Sequence, residues 1–175
     1  MTMDAQTLER VYQAELGAVH SFLTRLGAPP GDAPDLLHDV FLTAVRRWGS
    51  FDASRPVRPW LFGIAWNVYG DWKKTGARRF EEARDELPEH GDESDLEARV
   101  EARKTGALVQ QALAELDEPK RAAFVMHHFE GLSPNEISEV MNVPPATTYT
   151  RLRTARLELT AAVRRRQATP SGAAA

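Results

Sequence analysis

Cysteine is absent from all 175 residues, which excludes disulfides and thiolate metal sites and fits a reducing compartment. Long apolar runs are absent too: nothing approaches the roughly 18 uninterrupted apolar residues of a membrane span. The opening MTMDAQTLER is polar and acidic where a secretory leader would carry its apolar core. These absences predict a cytoplasmic chain with no membrane insertion. Residues 81–101 contain no aromatic ring, one proline and one glycine. No HExxH motif and no carboxylate cluster accompanies the adjacent His127 and His128 or nearby Glu130. Adjacent histidines on a helix point about 100° apart, and His20 and His38 read as helix-surface residues. No metal, cofactor or catalytic residue is expected, and the chain does not read as an enzyme.

What is present is helical and unevenly charged. The net charge of −3 conceals three blocks. Residues 1–80 carry ten Lys/Arg against eight Asp/Glu, a net of +2. Residues 81–101 carry two against ten, a net of −8, and residues 102–175 carry ten against seven, a net of +3. High charge with few apolar residues cannot offset the entropy of ordering, so the middle block reads as a flexible acidic linker. QATPSGAAA at the end reads as a disordered tail.

The first block holds three helical patterns. Leu8, Val11, Tyr12, Glu15, Val19, Phe22, Leu23 and Leu26 share one face, closed by GAPPG. Asp32 is placed to cap a second helix whose apolar face is Leu36, Leu37, Val40, Phe41, Ala44 and Val45. GSFDASRPVR is a loop by composition, and Pro59 suits the first helical position of PWLFGIAWNVYGDWKK. In that third helix Trp60, Ile64, Val68 and Trp72 recur every four residues, as a buried seam does. Trp66 and Tyr69 lie off the seam, and rings beside Arg58, Lys73, Lys74, Arg78 and Arg79 suit either core packing or stacking on unpaired bases.

The second block starts with two amphipathic patterns. The first carries Leu108, Ala112, Leu113 and Leu116; the second, opened by Pro119, carries Ala122, Ala123, Val125, Met126 and Phe129. LSPNEISEVMN then has a full start signal: Ser133 as cap, Pro134 in the first turn and Glu136 three residues after the serine. Asn142 is a left-handed stop, Val143 and Pro144 turn the chain, and Pro145 starts the last helix. A short helix, a tight turn and a second helix make a helix-turn-helix, whose second member lies in the DNA major groove. At 100° per residue, Thr148, Leu152, Ala155 and Leu159 face inward. Ala146, Thr147, Tyr149, Thr150, Arg153 and Thr154 are left to DNA, with Arg151 and Arg156 on the flanks. Residues 144–175 carry six arginines against one glutamate, a net of +5 that favours a phosphate backbone.

These motifs resemble a known family. DAPDLLHDVFLTAVRRWGSFD, then RPWLFGIAWNVYGDWKK, then the helix-turn-helix at 133–159, is similar in order to bacterial RNA polymerase sigma factors of the extracytoplasmic-function (ECF) type. The resemblance covers roughly residues 5 to 166. It implies an all-α fold of two small helical domains joined by the flexible acidic linker. Residues 1–78 would form the region 2 domain, 79–103 the linker, 104–166 the region 4 domain and 167–175 the tail. It further implies that Asp35, Leu36, Asp39, Val40 and Phe41 grip a coiled coil of the largest polymerase subunit, with the polymerase flap as a second contact. Trp48, Phe51, Arg58, Asn67, Asp71 and Lys74 fall where the family captures an unpaired base of the minus-ten element. The last helix matches the reader of the minus-thirty-five element, and the linker matches a segment threaded near the polymerase active centre. Core RNA polymerase, promoter DNA and an anti-sigma factor are the partners implied. The sequence departs from the family at Trp66, Gly70 and Tyr149, where arginine, an uninterrupted helix and a basic residue are common. A helix-turn-helix regulator acting without polymerase accounts for the second block alone, and a purely protein-binding helical adaptor is a further alternative. Steep loss of binding with rising salt separates DNA contacts from an adaptor's apolar ones.

Overall fold

The computed structural model describes residues 5–76 and 96–168. Every regular element among them is helical: α1 (Ala5–Leu26), α2 (Ala33–Arg47), a 3-10 turn (Trp48–Ser50), α3 (Val57–Gly76), α4 (Leu96–Glu115), α5 (Glu118–His128), α6 (Pro134–Met141) and α7 (Pro145–Ala168). The stretch expected to be a flexible linker lies outside the described residues up to 95, as do Arg78, Arg79 and the end of the tail. Helix α4 begins at Leu96, inside the segment read as linker.

Turn chemistry sets the boundaries. At the end of α1, Gly27 takes φ +112°. There its N–H donates to Thr24 O at 3.0 Å and the Ala28 N–H donates to Leu23 O at 3.1 Å. That paired pattern closes a helix with a glycine no other residue replaces cheaply. Asp32 does not cap α2 with its side chain as expected. Asp32 itself takes helical angles, φ −97° and ψ −22°, where a capping residue is extended, and Pro34 at the second helical position has no N–H to offer; the Asp32 and Ala33 N–H groups donate to Pro29 O. Helix α3 starts at Val57, two residues before the proline expected to open it. The Asp117 carboxylate caps α5 by accepting from the Lys120 N–H at 2.9 Å. The capping box at Ser133 and Glu136 forms in both directions, and Asn142 stops α6 in the left-handed region at φ 52°.

Helices α1, α2 and α3 pack against each other, and α4 to α7 form a second group around α7. The groups are not separate bodies. A single apolar cluster runs from Phe22, Leu26, Phe62 and Ala65 through Leu113, Ala122 and Met126 to Ile137 and Ala155. Phe22 and Phe62 meet with ring centroids 4.8 Å apart. Each fully buried ring or leucine of this kind contributes about 1.5–3 kcal/mol.

The aromatic seam of α3 is displaced from its expected register. Leu61, Phe62, Ile64, Ala65 and Tyr69 are the buried residues, whereas Trp60, Val68 and Trp72 are half-buried at the edge. A four-residue recurrence fits any of several adjacent stripes on a helix apolar on most sides. Neighbours on two sides, α1 with α2 and then α6, decide which stripe is deepest. Tyr69 lies at 2% exposure, and its hydroxyl donates to Leu26 O at 2.8 Å. Burial pushes its phenol up to about 12, with Glu118 adding to the rise and Arg121 opposing it.

Candidate nucleic-acid interface

The helix-turn-helix is built as a rigid elbow. Thr148 is fully buried, and its Oγ1 hydrogen-bonds Ser138 Oγ at 2.9 Å across the angle between α6 and α7. The Ser138 hydroxyl donates in turn to Pro134 O at 2.7 Å. Ile137, Met141 and Ala155 fill the apolar part of the joint. With Thr148 and Ala155 turned inward, Ala146, Tyr149, Thr150, Arg153 and Arg156 are exposed and Thr147 is half-buried. Tyr149 is 57% exposed, an apolar ring held in solvent on the same arc as Arg153. Arg151 departs from the group: it is half-buried, with Nη1 3.8 Å from Met141 Sδ. It braces the elbow rather than extending from it.

A cleft of about 550 Å³ opens between the start of α3 and α6. Its N-terminal wall includes Arg47, Phe51, Arg55, Trp60, Trp66 and Asn67. Trp48 supports that wall, with ring centroids 5.3 Å from Phe51 and 5.8 Å from Trp60, while Phe51 and Trp60 lie 4.9 Å apart. Asn67 is exposed on the next turn, so its amide is available at the mouth. An aromatic cluster beside an amide and two guanidinium groups can stack a planar base and hydrogen-bond its edge.

Arg58, Asp71 and Lys74 were expected at this place and are not brought to it. Arg58 points away from the cleft, donating from Nε to Glu15 Oε2 at 2.7 Å and from Nη1 to Glu130 O at 3.4 Å. Its neighbours explain why: Glu15 and Glu130 are both 8% exposed, and a buried carboxylate requires a cation. Burial raises the Glu130 carboxyl above its usual range, Arg25 and Arg58 oppose the shift, and Glu15 adds to it. Asp71 and Lys74 stand at the far end of α3, 3.9 Å apart and almost fully solvated. Sequence reasoning missed Arg47 and Arg55, whose place on the cleft depends on how the 48–56 loop folds. It also read Trp60 as core.

On α2 only part of the expected polymerase contact is accessible. Asp35 and Asp39 are exposed one turn apart. Leu36, Val40 and Phe41 are 3%, 0% and 6% exposed, so they hold the helix to the core and cannot touch a partner. Leu42, 37% exposed, shares the outer face with Asp39 and was not anticipated. The histidines have local roles: His127 Nδ1 lies 2.8 Å from Leu132 O, and His128 stacks on Phe124 at 4.4 Å. Among the described residues no three His, Asp or Glu side chains gather to hold a metal ion.

Comparison with known proteins agrees with this geometry. The Sigma-70 region 2 family matches residues 11–79 and Sigma-70 region 4 matches residues 107–159. The RNA polymerase sigma factor CnrH of Cupriavidus metallidurans is 30% identical over 143 residues, covering 77% of this chain and 75% of CnrH. The ECF RNA polymerase sigma factor SigM of Bacillus subtilis is 26% identical over 155 residues, covering 89% of this chain and 94% of SigM. Among solved structures, the sigma factor RpoE in complex with the anti-sigma factor NepR, from Bartonella quintana, superposes with a TM-score of 0.74 at 20% identity. That match covers 91% of this chain and 98% of RpoE and shows a shared fold. With both regions present in order, the chain belongs to the sigma-70 family as an ECF RNA polymerase sigma factor, directing promoter-specific transcription initiation.

Proposed function

We propose a division of labour between the two halves. Helix α7 reads the minus-thirty-five element in the duplex major groove through Tyr149, Thr150 and Arg153. The cleft at Phe51, Trp60, Trp66 and Asn67 captures an unpaired base of the minus-ten element after the strands part. Asp35 and Asp39 meet a basic surface on core polymerase, with Leu42, about one turn beyond Asp39, as an apolar contact beside them. Phosphoryl transfer stays with the polymerase, and this chain contributes recognition without bond chemistry of its own, in the cytoplasm where its partner works. RpoE is held by the anti-sigma factor NepR, which supports a protein of that kind as a further partner here.

The observation that carries this reading is the exposed arc of α7. Its inner side is locked by Thr148 and Ala155 in a capped elbow, so Arg153 is presented outward on a fixed support. A bidentate arginine on guanine discriminates by about 1–3 kcal/mol. Run-off transcription with purified core polymerase on the DNA upstream of its own gene tests the function directly. A defined transcript dependent on this chain is expected. None with core polymerase, while duplex binding persists, would leave a regulator that acts without polymerase.

A further inference from the structure

The outward stripe of α7 carries a narrow choice of chemistry. Ala146, Tyr149, Thr150 and Arg153 are exposed and recur at i, i+3, i+4 and i+7, so they share one face of the helix. Between Pro145 and Leu157 there is no Asp, Glu, Asn or Gln. That removes the side chains that take adenine N6 and N7 as a fork, and those that accept from cytosine N4. The Thr150 hydroxyl donates to Ala146 O at 3.0 Å, so its proton is already committed to the helix. Thr148 is buried with its Oγ1 on Ser138 Oγ, and Thr147 and Thr154 are half-buried at the flanks. What the stripe offers a base edge is one guanidinium, at Arg153, beside an apolar surface centred on the Tyr149 ring. That ring is 57% exposed, against 38% for Tyr12 and 2% for Tyr69, so the fold makes less use of it than of either other tyrosine.

We infer that Tyr149 is a specificity-determining residue for thymine, its ring covering the 5-methyl group of an A·T pair that neighbours a guanine held by Arg153. In the major groove an A·T pair shows a donor and an acceptor on adenine, and O4 and the methyl group on thymine. With no amide on the stripe, the methyl is the feature of that pair which an apolar surface singles out. Ala146 and Thr150 flank the ring with side chains too short to hold it away from the base edge. Four residues span about 6 Å of helix, so the thymine lies within about two base pairs of the guanine at 3.4 Å per pair. The elbow fixes this placement, because Thr148, the residue before Tyr149, is locked against α6. A recognition helix touches base edges with its N-terminal residues. Leu157, 63% exposed on the same stripe, stands a full turn beyond Arg153 and takes no part. This inference rests on assigning α7 to the minus-thirty-five duplex.

In the test, the full chain bound to purified core polymerase is offered a pool of random duplexes, and the tightest binder serves as the probe. Each thymine is replaced in turn by uracil, which removes only the 5-methyl group. Each guanine is replaced by 7-deazaguanine, which removes N7. Competition against the unmodified duplex is measured for the parent chain, Y149A, Y149F, R153A and L157A, all checked for equal helical content. At least one uracil within about two pairs of a deazaguanine-sensitive guanine should weaken parent binding about three- to fivefold. Y149A should lose that uracil effect and keep the deazaguanine one, and R153A should do the reverse. Y149F and L157A should behave as the parent. A parent indifferent to every uracil, or a Y149A chain as sensitive as the parent, would overturn the proposal. So would loss of the effect in Y149F, which would give the reading to the hydroxyl, or in L157A, which would move it to the next turn. If neither uracil nor 7-deazaguanine changed binding, α7 would not lie in a major groove, and the reading beneath the proposal would fall with it.

Discussion

Gly27 and Gly17 lie in the same region of the chain, and the same substitution should move stability in opposite directions at the two. At Gly27, φ is +112°, and an added Cβ would sit 3.2 Å from Arg121 Nη1 and 3.5 Å from the Tyr69 hydroxyl oxygen. Both atoms donate to Leu26 O, so the glycine keeps open the point where α1, α3 and α5 are tied. The left-handed backbone costs an alanine about 1–2 kcal/mol. Displacing the guanidinium weakens a hydrogen bond from a charged group, worth about 1.5–3 kcal/mol. Arg121 has no easy alternative position, because its Nη2 also donates to Ala114 O and Leu116 O at 3.1 and 2.9 Å. Gly27→Ala should therefore cost about 2–4 kcal/mol, against a total stability of about 5–15 kcal/mol. At Gly17, inside α1, nothing lies within 4 Å of the added Cβ. There Gly17→Ala should stabilise by about 0.5–1 kcal/mol through backbone entropy alone. Thermal unfolding followed at 222 nm reads both, at about 2–4 °C per kcal/mol for a chain of this size. In an Arg121→Lys background the Gly27→Ala cost should shrink, since the crowded guanidinium is gone. Equal shifts at the two glycines, or an undiminished cost beside lysine, would refute the crowding argument.

Other residues give sharper functional outcomes. Arg153→Ala should lose about 1–3 kcal/mol on the preferred minus-thirty-five duplex and little on scrambled DNA, by competition gel shift. Asn67→Ala should spare duplex binding and impair strand opening, seen as lost permanganate reactivity of promoter thymines, because a base is captured only after it leaves the stack. Reversing Asp35 and Asp39 to lysine should abolish co-purification with core polymerase while helical content is unchanged, since like charges across such a contact cost several kcal/mol. Glu130 has a raised carboxyl in the folded chain, so the fold binds its proton more tightly than the unfolded chain does. Its contribution is present below the ordinary carboxylate range and is lost as pH rises through the raised value. Glu130→Gln should flatten this fall, and denaturant midpoints of both chains across pH 4 to 7 would check it.

The recognition elbow was legible because its signals are local. Ser133, Glu136, Asn142 and Pro145 each specify a backbone conformation within a few residues, and all hold. The inward set Thr148, Leu152, Ala155 and Leu159 followed from helical spacing against a partner helix only a turn away. Polar exposure of Asp35 and Asp39 was legible for the same reason. By contrast, the caps and stripes that depend on distant neighbours moved. Asp32 lost its capping role to a turn at Pro29. The deepest stripe of α3 shifted to Leu61, Ala65 and Tyr69 because α1 and α2 press on one side and α6 on the other.

The family, the order of its two regions and the helix-turn-helix were determined by the sequence alone, since motif chemistry and spacing are properties of short segments. Tertiary structure decided which side chains share a site. Arg58 and Glu15 are separated by 43 residues, and Arg55 and Glu139 by 84. No periodicity within a helix encodes such a pairing. It arises because buried carboxylates on α1 and after α5 must find a cation, and because the apolar faces of both halves close over a common core. That closure turns Arg58 away from the cleft, brings Arg55 to Glu139 and sets α6 across the cleft from Phe51 and Trp60.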